Sequence, residues 1–98
     1  MNNRSISEGA SNFNLQIGKK VKARREELKL TQSKLAKSCG VTFQQIQKYE
    51  RGMNGLSSFR LKQIAERLEV SILYFFIEEK PLLLTKEMEI TNDQSSSR

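Results

Sequence analysis

The stretch Leu30-Thr31-Gln32-Ser33-Lys34-Leu35-Ala36-Lys37-Ser38-Cys39-Gly40-Val41-Thr42-Phe43-Gln44-Gln45-Ile46-Gln47-Lys48-Tyr49-Glu50-Arg51-Gly52 decides the fold. Thr31 stands where a helix N-cap belongs, and Leu35 with Ala36 forms the inner face of the short helix that follows. Gly40 falls where the chain must turn through a left-handed conformation. Thr42-Phe43-Gln44-Gln45 fits a capping box, with Gln45 at N3, and opens the next helix. Ile46 and Tyr49, three apart, point back to the seam, and the small Ala36 lets the two backbones approach. The spacing predicts two helices of about two turns each, joined across Cys39-Gly40-Val41 in a helix-turn-helix unit. The outer face and leading end of its second helix carry Phe43, Gln44, Gln47, Lys48 and Arg51.

Working outward, Ile17, Val21 and Leu28 give one apolar face to a preceding helix that Leu30 closes. Downstream, Gly52 and Asn54-Gly55 mark a turn, and Ser57 or Ser58 caps a fourth helix with Leu61, Ile64, Ala65 and Leu68 on one side. Ser71 caps a short fifth helix, Ile72–Ile77. No segment alternates with period two, so the fold class is all-α, with five helices. Residues 1–14, rich in Asn, Ser and Gly, read as a flexible N-terminal arm. Residues 15–77 form the domain, 78–92 a short C-terminal extension and 93–98 a polar, disordered tail.

Composition narrows the function. The 98 residues include 17 Lys and Arg against 11 Asp and Glu, a net charge of +6, with no histidine and one cysteine. Histidine-dependent catalysis and imidazole metal ligation are thereby excluded, and one cysteine makes no internal disulfide. No cofactor or metal is expected, no nucleophile, base and oxyanion site assembles, and the protein is not read as an enzyme. The apolar runs are too short to span a bilayer and residues 1–14 lack a signal-peptide core, so a cytoplasmic protein without membrane association is expected. A mean hydropathy of −0.58 and a pI near 9.7 make nucleic acid the leading partner class. The outer-face residues suit the major groove: Gln pairs with adenine, Lys donates to guanine and an aromatic ring meets the thymine methyl.

The run Leu30–Ala36 through Thr42–Gly52, with the later Leu68-Glu69-Val70-Ser71 turn, resembles the Cro/C1-type (Xre) helix-turn-helix family. It is most similar to the short single-domain regulators of alphaproteobacteria, which share Val41–Gly52. The resemblance covers about Ile17–Phe76. It implies a lambda-repressor-like DNA-binding domain with the helix-turn-helix at helices 2–3. It further implies a bacterial transcriptional regulator, a repressor that binds a palindromic operator as a homodimer and sits on the nucleoid when DNA-bound.

By position, the resemblance assigns base reading to Phe43, Gln44 and Lys48. DNA backbone contacts go to Gln32, Thr42, Gln47, Arg51 and Asn54, and Gln32 also braces the recognition helix. Arg25 and Glu50 match a structural ion pair tying the first helix to the third. Two departures stand out. Gly55 occupies a place where many relatives carry Arg or Lys, so one backbone contact is missing or supplied by Arg60 or Lys62. Leu73 stands where relatives place a polar residue and hints at a partner surface.

Blander readings accompany each assignment. Gln44 and Lys48 serve equally as solvated surface residues, Phe43 as a hydrophobic staple, and Lys19, Lys20 and Lys22 as a solvated basic face. Tyr74, Phe75 and Phe76 read first as core. Pro81 stops any helix, and Leu82, Leu83 and Leu84 must pack, either back on this domain or across a two-fold axis. Dimerisation is expected through Leu73, Phe76 and Leu82–Leu84. Thr85–Thr91 reads as a helix or a strand. A protein-binding module, such as an antitoxin or adaptor, is the competing function. No small-molecule ligand is expected.

The charge is unevenly distributed. Leu15–Gly52 holds ten basic and three acidic residues, a net +7, whereas residues 78–98 hold three basic and five acidic, a net −2. The excess lies on the helices assigned to DNA.

Overall fold

The computed structural model describes residues 3–77. Four α-helices, α1 (Asn3–Glu27), α2 (Gln32–Cys39), α3 (Phe43–Glu50) and α4 (Ser58–Arg67), precede a 3-10 turn, Ile72–Phe76. No strand occurs among the described residues. The extension 78–92 and the tail 93–98 lie outside them, and so do Leu82, Leu83 and Leu84.

Hydroxyl caps set the element starts. Thr31, Thr42, Ser57 and Ser71 each adopt an extended backbone and accept a hydrogen bond from Lys34 N, Gln45 N, Arg60 N and Leu73 N respectively. Gly40 ends α2 in the left-handed region, at φ 71°. Two other helix ends use the same region without glycine: Lys29 (φ 57°) after α1 and Glu69 (φ 60°) after α4. At both, the next residue returns its N–H to the helix, Leu30 to the Arg25 carbonyl and Val70 to the Ala65 carbonyl, each at 3.0 Å.

One core joins all five elements: Ile17 and Val21 from α1, Leu35, Ala36 and Cys39 from α2, Ile46 and Tyr49 from α3, Leu61, Ile64, Ala65 and Leu68 from α4 and its end, and Phe75. The free cysteine, Cys39, is a buried core residue. Polar side chains lock the helix ends together. Arg24 Nε donates to the Leu68 carbonyl, Arg60 Nη1 to the Cys39 carbonyl and Arg67 Nε to the Ser38 carbonyl, at 2.9, 2.8 and 3.0 Å.

The structure corrects two expectations. The segment read from its composition as an arm is helical from Asn3 onward, where α1 begins. Ala10, Phe13, Ile17 and Val21 continue one stripe at spacings of three and four, and Phe13 stacks on Phe76 with ring centroids 5.8 Å apart. The fifth helix is a 3-10 turn and not an α-helix. With three residues per turn, Ile72 and Phe75 eclipse on the inner edge, where Phe75 is buried. Leu73 and Phe76 eclipse on the outer edge, where both are exposed. Five residues suffice to insert one aromatic ring.

Candidate nucleic-acid interface

Helix α3 is held from behind. Arg25 of α1 grips Glu50 near its C-terminal end: Nε lies 2.6 Å from Oε2 and Nη2 lies 3.1 Å from Oε1. Arg25 Nη1 also donates to the Leu30 carbonyl at 2.8 Å. The hydrogen bond to Glu50 is the main cause that raises the Arg25 guanidinium above its ordinary value. Burial opposes it, and the Glu50 and Glu26 charges reinforce it. Gln32 Nε2 completes the arrangement with a 2.8 Å bond to Glu50 Oε1, so the first residue of α2 braces α3. Each carboxylate oxygen is therefore engaged, which a buried charge requires.

Glycines bring α1 against the same end of α3. A Cβ on Gly18 would stand 2.2 Å from the Tyr49 carbonyl oxygen and 2.7 Å from that of Glu50. Gly52 has φ 72°, and a Cβ there would meet Leu15 Cα at 2.6 Å. Gly18 is invisible to sequence reasoning because a lone helical glycine does not announce which backbone approaches it.

The front of α3 is open. Gln44 and Lys48 lie one turn apart, opposite the buried Ile46 and Tyr49, and both are exposed. Phe43 stands at one flank, 39% exposed, so its ring is divided between protein and solvent. Thr42 is exposed at the leading end with its Oγ1 accepting from Gln45 N at 3.1 Å. Gln47 is half-buried, Arg51 exposed and Asn54 half-buried. The turn bearing Asn54 sits beside α1: a Cβ on Gly55 would come into ordinary contact with the Asn14 side chain, 3.4 Å from its Oδ1. Gln32 is half-buried and commits one amide hydrogen to Glu50.

Lys34, Lys37, Lys48 and Arg51 are exposed, and none is in an ion pair among the described residues. Arg60, a suggested replacement for a basic residue at Gly55, is instead fixed to the Cys39 carbonyl and to Gln63 Oε1. Lys62 pairs with Glu66 at 3.7 Å. Among the described residues no group of three or more His, Cys, Asp or Glu could hold a metal, and no helix is long and apolar enough to cross a membrane.

Residues 21–75 match the helix-turn-helix (HTH_3) family, and the chain belongs to that family. It is 55% identical over 60 residues to the "Uncharacterized transcriptional regulator in ATPase CF(0) region" of Rhodospirillum rubrum, covering 61% of this chain and 56% of that protein. An uncharacterized HTH-type transcriptional regulator of Sinorhizobium fredii is 38% identical over 76 residues, covering 78% and 53% respectively. Both organisms are alphaproteobacteria, where the resemblance pointed. The chain spans about half the length of the curated relatives it matches. The crystal structure of an HTH_3 family transcriptional regulator from Vibrio cholerae superposes with a TM-score of 0.63 at 30% identity, covering 68% of this chain and 38% of that one.

Proposed function

We propose that the chain is a sequence-specific DNA-binding transcriptional regulator that inserts α3 into the major groove. The observation that carries this reading is the pair Gln44 and Lys48, exposed one turn apart on a helix whose opposite side is locked by the Arg25–Glu50–Gln32 network. Gln44, Lys48 and the ring of Phe43 address base edges. Thr42, Gln32, Gln47, Arg51 and Asn54 address phosphates, helped by the partial positive charge at the N-terminus of α3.

The reading extends to a repressor that binds a palindromic operator as a homodimer and resides in the bacterial cytoplasm. A single α3 contacts too few bases for tight discrimination, and a second copy adds a second half-site at high effective concentration. Leu73 and Phe76, exposed together on the outer edge of the 3-10 turn, support a surface for that second copy. The same exposed edge also favours the alternative of a protein-binding module, an antitoxin or adaptor. The family's transcriptional regulators are not typically enzymes, and no enzymatic role is proposed.

Selection from random duplexes, followed by sequencing of the bound pool, tests the proposal. A bound pool with two inverted half-sites supports it. A pool indistinguishable from the input overturns it.

A further inference from the structure

The front of α3 is chemically one-sided. Glu50 is the single acidic residue between Leu30 and Gly52, and its carboxylate is buried and held by Arg25 and Gln32. The stripe that faces away from Ile46 and Tyr49 therefore carries amides and cationic groups, with the Phe43 ring at its flank, and no carboxylate. Among the described residues the side chains of Gln44 and Lys48 make no hydrogen bond or ion pair, so their polar groups are all available to a partner.

In the major groove adenine shows an acceptor, N7, beside a donor, its N6 amino group. The amide of Gln44 has one accepting and one donating side and matches both at once. Guanine shows two acceptors, N7 and O6. The ammonium of Lys48 has three donors and no acceptor, and matches that pattern. Cytosine shows only its N4 amino donor, whose usual partner is a carboxylate. The front of α3 lacks one, and Lys48 has nothing with which to accept. Spacing follows from helix geometry. Gln44 and Lys48 are four residues apart, about 6 Å along the helix axis and about 40° around it. Successive base pairs are about 3.4 Å apart. The two side chains therefore reach bases one or two steps apart. Gln47 is turned about 60° away from Gln44 to the side and is half-buried, so it does not stand between them.

We propose that each half-site is read through two purine edges, an adenine by Gln44 and a guanine by Lys48, placed one or two base-pair steps apart. The inference rests on the DNA-binding reading and adds to it the identity and spacing of the bases. It makes Lys48 a reader of sequence, in contrast to Lys34 and Lys37, which address any duplex alike.

Selection from random duplexes with exchanged readers, using the full chain, tests it. The wild-type pool should fix one A·T and one G·C pair within two steps of each other in each half-site. Lys48→Gln should turn the G·C position into A·T and leave the other unchanged, and Gln44→Lys should turn the A·T position into G·C. In the selected operator, replacing that guanine by cytosine should weaken wild-type binding about tenfold and Lys48→Ala binding less than twofold. Inverted half-sites whose positions do not follow the substitutions overturn the proposal and leave the DNA-binding reading standing. So does a Lys48→Gln protein that binds every sequence more weakly by one common factor, with a salt slope lower by about one, since Lys48 then meets a phosphate. A wild-type pool without any enriched sequence overturns both.

Discussion

At the residue scale, the interface is set by groups that never face it. Gly18→Ala places a methyl carbon 2.2 Å from a backbone oxygen of α3, which only a backbone shift relieves. The expected loss is about 3 kcal/mol in denaturant unfolding, and the displaced α3 should lose operator affinity as well. A small loss, with affinity intact, would mean that the two helices separate cheaply. Arg25→Met leaves Glu50 with one partner, Gln32, in a buried site, and should cost about 3–5 kcal/mol. The pH dependence follows from the sign of the shift. A guanidinium raised on folding contributes stability that is present below its unfolded value and lost only as pH rises through the folded one. Both lie in strong alkali, so the contribution of the Arg25 charge should stay constant across the neutral range. A proton-uptake measurement that assigns a neutral-range titration to Arg25 would contradict this. Gln44→Ala should relax specificity at one base position by about 1–3 kcal/mol. The Arg25–Glu50 pair was legible only through family resemblance. The Gly18 contact was not legible at all, because its cause lies thirty-one residues away in Tyr49.

At the element scale, the starts of α2, α3 and α4 were legible, whereas the start of α1 and several ends were not. A start is local chemistry: Thr31, Thr42 and Ser57 need only a hydroxyl and an N–H three residues on, and the sequence displays both. Thr42→Ala should cost about 1 kcal/mol of stability and weaken DNA binding beyond that, since the cap also sets where α3 begins. An end that turns left-handed is legible when it carries Gly40 and hidden when it carries Lys29 or Glu69. Those two residues hold a conformation that costs a non-glycine roughly 1–2 kcal/mol. Lys29→Gly should therefore raise the unfolding midpoint, with a gain of about 1 kcal/mol remaining after the added chain entropy. A lower midpoint would show that the Lys29 side chain makes a stabilising contact that outweighs its strain. The type of the fifth element was hidden for a related reason. Ile72–Phe76 is short and apolar on all sides, so its sequence alone does not separate a period of three from 3.6.

At the scale of the whole molecule, the net charge divides into a structural and a free part. Arg24, Arg25, Arg60 and Arg67 commit their guanidinium groups to carbonyls or carboxylates that hold helices together. Lys34, Lys37, Lys48 and Arg51 remain exposed on α2, α3 and the turn after them. Counterion release requires this free subset. Lys34→Gln or Lys37→Gln should therefore weaken binding to every sequence alike and reduce the salt slope by about one for each phosphate left unneutralised. A second copy adds a geometric condition to the electrostatic one. Two α3 helices fit successive major grooves only if the dimer holds them about 34 Å apart. A protomer that dimerises through the outer edge of the 3-10 turn should be sensitive to Leu73→Glu. That side chain is 65% exposed, so the substitution should leave the fold within about 0.5 kcal/mol. Sedimentation should then report a monomer with an unchanged melting transition. Its affinity for a two-half-site operator should fall to that for a single half-site, because the effective concentration of the second α3 is lost. A Leu73→Glu protein that remains dimeric, or a monomer that binds the full operator undiminished, would remove this edge from the assembly.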